Sequence, residues 1–146
     1  MTTARPLPVP DADSEPFWTA CREGHLVAQK CPACARFRWP PMEFCPWCHH
    51  HGGDWTALPG TGVVQSFVIV YRAFDPAFAD SIPYSVAHIA LDGADGVTII
   101  GNVLADPPNT LVVGQHVAVE FSDVGSVVMP RFRPIFPAPP TEALPE

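Results

Sequence analysis

Between residues 63 and 132 apolar side chains gather in short runs, each closed by Gly, Pro or Asp. A period of two marks a strand with one packed and one solvated face, and the breakers mark turns. The pattern predicts strands over 63–72, 84–91, 97–104, 117–121 and 127–132. Asp92, Gly93, Asp95 and Gly96 form a hairpin turn between the second and third, and Asp106-Pro107-Pro108-Asn109 ends the third. The loop over 74–81 carries Phe74 and Phe78. Five short strands in about seventy residues fit a small, nearly closed barrel, and five is the strand number of the OB-fold; a five-stranded sandwich is the alternative.

The N-terminal third reads differently. Ser14 is placed to cap a short helix with Glu15 and Pro16 in its first turn; Phe17, Trp18, Ala20 and Cys21 follow, and Gly24 ends it. Phe17 and Trp18 offer more apolar surface than so short a helix needs for itself, so they pack on a neighbouring module or dock a partner. A strand over 26–30 comes next. Arg36-Phe37-Arg38-Trp39 then alternates basic and aromatic residues before Pro40 and Pro41. This predicts a strand with Phe37 and Trp39 covering the cysteines that flank it, and Arg36 and Arg38 on the opposite face. With Lys30, the two arginines form the densest positive cluster, a solvated face or a seat for an anion such as phosphate. Gly52, Gly53 and Asp54 loosen the chain, and 59–62 form a junction. The expected divisions are a lead-in over 1–13, a helix-and-ribbon module over 14–56, a barrel over 57–135, and a Pro-rich acidic tail over 136–146.

Chemistry enters with the cysteines. Cys31-x-x-Cys34 and Cys45-x-x-Cys48 are two matched knuckles, each with proline after its first cysteine, Pro32 and Pro46. A two-residue gap lets two thiolates on one turn converge on an ion, and two such turns complete a tetrahedron. Four thiolates at about 2.3 Å suit a structural Zn²⁺ and leave no open position. A redox site needs only one such pair, and a disulfide framework needs an exported chain, whereas residues 1–13 contain no apolar leader stretch. Ala35 and His49 stand where many ribbons have glycine, so the knuckle turns are expected to be less relaxed. His49, His50 and His51 read as a loop beside the sulfurs, and Cys21 as a small buried apolar side chain.

Composition narrows the function. The net charge is −7, from 15 acidic and 8 basic residues, with one lysine, Lys30. Nucleic-acid affinity rests on Lys and Arg neutralising phosphates, so the alternative of a nucleic-acid-binding ribbon is disfavoured. No stretch approaches the roughly 18 apolar residues of a membrane span, and the expected setting is the cytoplasm. Four of the five cysteines belong to the metal, and His88 and His116 have no carboxylate or serine at recognisable spacing. Intrinsic catalysis has no candidate residues here.

Taken in order, Phe17-Trp18, Gly24, Leu26, the two knuckles, the run 62–67, Ile82-Pro83-Tyr84, Leu91-Asp92-Gly93, Gly101-Asn102 and Pro130-Arg131-Phe132-Arg133-Pro134 span about residues 14–135. This ordered set resembles the bacterial and archaeal zinc-ribbon/OB-fold proteins long catalogued as a domain of unknown function. The resemblance implies a mainly β chain in which a short helix and a rubredoxin-like zinc ribbon precede a five-stranded OB barrel. It also implies an accessory role, with the barrel binding or channelling acyl-CoA for a thiolase-like, aldolase or MaoC-like hydratase partner. Such partners work in ketone, hydroxymethylglutaryl-CoA, acyl-phloroglucinol or steroid side-chain chemistry, a lipid-metabolism setting. On that reading Lys30, Arg36, Arg38, Phe74 and Phe78 contact acyl-CoA, at a slot formed by the ribbon–barrel junction. Phe17, Trp18, Arg131, Phe132, Arg133 and Phe136 contact the partner enzyme.

Overall fold

The computed structural model describes residues 4–135, so Phe136 and the tail expected over 136–146 lie outside the described residues. Helix α1 spans Glu15–Arg22. Its start departs from the expected cap: Ser14 is at the cap position, but its hydroxyl donates to Asp11 Oδ1 at 2.6 Å and makes no bond to the helix. The Asp11 carboxylate captures the hydroxyl, and its attached backbone carbonyl accepts from Glu15 N instead. The end is as expected. Gly24 adopts φ +79°, Gly24 N–H bonds Cys21 O and His25 N–H bonds Ala20 O, the paired bonds of a Schellman stop.

Three short strands build the ribbon sheet in the order β2-β1-β3: β1 at Val27–Lys30, β2 at Phe37–Arg38 and β3 at Asp54–Ala57. The 54–57 strand has no clear alternation, and only its pairing with all four residues of β1 makes it one.

The barrel follows as β4 at Thr61–Val70, β5 at Tyr84–Leu91, β6 at Thr98–Gly101, β7 at His116–Asp123 and β8 at Val128–Pro134. Their order, β6-β5-β4-β7-β8, is antiparallel throughout. A parallel bridge between Val103 and Phe132 joins the outer strands and closes the sheet on itself, giving the OB-fold rather than a sandwich. The register of β4 against β5 shifts between Val64 and Ser66, a bulge that lets the long strand bend round the barrel. The loop expected over 74–81 contains a 3₁₀ helix, Pro76–Ser81, capped by Asp75 Oδ1 accepting from Ala77 N–H.

One hydrophobic core serves both modules. Phe17, Cys21, Leu26, Val27 and Ala28 from the ribbon side are buried together with Val64, Ile89, Val117 and Phe132 of the barrel. Helix α1 lies against both β1 and β8, which fixes the ribbon on the barrel.

Candidate metal centre and ligand cavities

The two knuckles are built alike. Ala35 N–H bonds Cys31 O and His49 N–H bonds Cys45 O, each at 2.9 Å, and the carbonyls of Arg36 and His50 accept from the first cysteine's N–H in return. Each turn therefore presents its two sulfurs to the same side. All four Sγ atoms lie within 4.8 Å of one another, and the pairs Cys31–Cys48 and Cys34–Cys45 stand 3.6 Å apart. A tetrahedron of four thiolates at about 2.3 Å from zinc has edges of about 3.8 Å, so the donor set fits the ion. Burial opposes a Cys45 thiolate, but backbone N–H groups of Cys48 and Trp47 and the nearby sulfurs outweigh it and bring the thiol down to about 6. At Cys48 the His50 N–H favours the thiolate, yet burial and three neighbouring sulfurs push the thiol up to about 12. Four anions this close repel, and a divalent cation is what lets all four ionise together. Bound zinc would supply a structural cross-link between the knuckles.

The histidine run stays outside this cluster. His51 Nε2 meets Glu43 Oε1 at 3.0 Å, and its ring lies 5.1 Å from that of Phe44 across the second knuckle. Ala35 and His49 adopt φ +60° and +62°, so the knuckle turns are strained at the positions where glycine was missing.

Several site residues lie elsewhere than the sequence suggested. Arg38 is not on a cationic surface. Pairing of Arg38 with the buried Gln29 turns its side chain inward, where it is only 2% exposed. Its Nε donates to Gln29 Oε1 at 2.6 Å, and a terminal nitrogen donates to Met42 O and Gly52 O. Gly53 is no loosening residue: a Cβ there would stand 2.6 Å from the Arg38 guanidinium. Phe37 and Trp39 pack on the shared core, with Trp39 edge-on to Phe17 at 4.7 Å. Phe17 and Phe132, expected at a partner surface, are both buried in the core. Lys30 and Arg36 lie over the rings of Phe37 and Trp47. Phe74 is exposed beside Arg72, and Arg133 is paired with Glu120 at 2.8 Å on the surface. Cys21 is buried, and burial pushes its thiol up to about 12, which suits an apolar packing role.

Two cavities flank the closing seam of the barrel. The larger, about 600 Å³, sits at the ribbon–barrel junction. Phe17, Trp18, Trp39 and Pro40 wall it from the ribbon side, and Val86, Ile100 and Met129 are among the barrel residues opposite. The smaller, about 330 Å³, is lined by Phe78, Tyr84, Arg5 and Arg131 among others. A cavity at that junction was expected from the order of modules, but none of Lys30, Arg36, Arg38, Phe74 and Phe78 lines it. The second cavity was not expected, because Arg5 and Arg131 come from opposite ends of the chain.

A model of the rubredoxin-like zinc ribbon domain of ChsH2 matches residues 18–52, and a model of the C-terminal OB-fold domain of ChsH2 matches residues 55–122. Together they account for well over half of the sequence, and the chain belongs to this ChsH2 zinc-ribbon/OB-fold family. It is 31% identical over 134 residues to a protein of Thermomonospora curvata named as a probable enoyl-CoA hydratase alpha subunit, spanning 91% of this chain but 41% of that relative. A chain of the solved Ltp2-ChsH2(DUF35) aldolase superposes with a TM-score of 0.78 and 29% identity, over 88% of this chain and 98% of that one. A DUF35-family protein of unknown function from Sulfolobus solfataricus shares the fold, with a TM-score of 0.62 and 17% identity over 85% of this chain and 86% of that one.

Proposed function

We propose that this ChsH2-family chain is an accessory subunit that docks on an aldolase- or hydratase-type enzyme and holds part of its acyl-CoA. The observation that carries the binding half is the apolar cavity of about 600 Å³ that ribbon and barrel build jointly. Its volume falls within the range of small-molecule sites, and aromatic walls with few polar groups suit an acyl or pantetheine segment. An acyl chain of lipid or steroid type fits such a lining. Zinc holds the ribbon wall in place without reacting, because four thiolates leave the ion no position for substrate. On this reading the chemistry belongs to the partner. The relatives support the pairing, since one is named as a hydratase subunit and another is part of an aldolase.

The docking face follows from exposure. Val68 and Ile100, large apolar side chains left 60% and 64% exposed, share one hollow on the barrel surface, and Ile100 and Trp18 both line the junction cavity. Calorimetry with a long-chain acyl-CoA, on the zinc-loaded chain and on its complex with a co-expressed aldolase or hydratase, tests the reading. Binding that weakens about tenfold in Trp18→Ala, as expected for loss of an aromatic wall, would support it. No heat of binding in either preparation would sink it.

A further inference from the structure

The cavity of about 330 Å³ lies beside the junction cavity, and Asn102 lines both. Two arginines reach the smaller one. Arg5, from the lead-in, donates its Nε to Ala77 O at 3.0 Å and lies 5.3 Å over the Phe78 ring, which fixes it at the rim. Arg131, from β8, has its Nε enclosed and without a hydrogen-bond partner. Glu120 is its cross-strand neighbour, but that carboxylate forks with Arg133 at 2.8 and 3.2 Å. An enclosed guanidinium N–H left unmatched costs free energy unless an acceptor arrives with the ligand. Arg38 also keeps one enclosed nitrogen unmatched, but it sits among the Gln29, Met42 and Gly52 oxygens and, like Lys30 and Arg36, lines neither cavity.

We infer that Arg5 and Arg131 form an anion seat for the phosphate end of a ligand whose apolar end lies in the junction cavity. The inference rests on the acyl-CoA reading above and gives that ligand a direction, phosphates on the Arg5 side of Asn102 and acyl group on the Trp18 side. A guanidinium presents N–H groups in a planar fork that matches two phosphate oxygens, and the Phe78 and Tyr84 rings beside it suit the flat adenine that accompanies them.

Calorimetry on the full zinc-loaded chain with adenosine 3′,5′-bisphosphate, adenosine and a long-chain acyl-CoA separates the parts. The bisphosphate should bind at least about tenfold more tightly than adenosine, the worth of a charge-assisted hydrogen bond. Arg131→Gln and Arg5→Gln should each cost about that factor, Arg131→Lys should restore part of it, and Arg22→Gln, a surface control of equal charge, should change nothing. Arg5 is exposed, so its variant tests the seat even where an Arg131 variant melts early. Bisphosphate binding indifferent to both arginines, or lost equally with Arg22→Gln, overturns the seat. Arginine-dependent bisphosphate binding supports the seat even if the acyl group adds no affinity, an outcome that would instead defeat the acyl reading. Acyl-CoA binding that ignores both arginines defeats the seat alone.

Discussion

Ala35 and His49 hold left-handed backbone that glycine adopts without a Cβ clash. Ala35→Gly and His49→Gly should therefore each raise stability by about 1 kcal/mol, read as a higher denaturant midpoint of the zinc-loaded protein. Arg38 works the other way. Arg38→Met would take the Arg38 donor from the Met42 and Gly52 carbonyls and leave Gln29 Oε1 only the Met42 N–H, and a loss of about 3 kcal/mol is expected from chemical denaturation. Cys21 gives a pH signature. Its folded-state thiol, raised by burial to about 12, keeps its proton where an unfolded thiol at 9.0 releases it. Over that window the native state binds more protons, so stability falls as pH rises from about 9 toward 12 and is unaffected by this group below 9. Cys21→Ala should flatten that alkaline slope in pH-dependent unfolding. The left-handed strain was readable from the missing glycines. The burial of Arg38 was not, since a two-residue strand takes its inner face from its partner.

At the scale of elements, agreement depends on how local the cause is. The expected strand 84–91 coincides with β5 because its alternation and its flanking breakers are both in the sequence. The expected strand 97–104 ends early, with β6 stopping at Gly101. There the chain leaves β5 for β8: Ser85 Oγ donates to Val103 O at 2.7 Å and accepts from Val103 N–H at 3.0 Å, while Phe132 N–H bonds Asn102 O. Gly101 permits the crossing, because a Cβ would stand 3.2 Å from the Phe132 ring. Ser85→Ala removes both bonds at a buried site and should cost about 2 kcal/mol, with amide exchange accelerating first at Val103 and Leu104. Uniform acceleration over the whole barrel would place the seam's stability elsewhere.

For the whole molecule, the shared core couples metal and barrel. A ribbon of three short strands has too little apolar interior to stand alone, so chelating the zinc should unfold it. Phe17, Leu26 and Val27 then leave the barrel's core as well, and the barrel's melting temperature should fall together with a change in tryptophan emission. A barrel transition unmoved by chelation would show that the modules fold independently.

The metal site, the number of barrel strands and the order of modules were determined by sequence alone, because ligand spacing and alternation act over a few residues. Which cations and aromatics are inside was decided by tertiary structure. Alternation names two faces of a strand but not which one its neighbours will cover, and so Arg38 and Phe132 went inward, while Phe17 was drawn in from its helix by the core that ribbon and barrel share. The pairing of Arg5 with Arg131 across one cavity arises only when the barrel closes, since nothing local in either segment refers to the other.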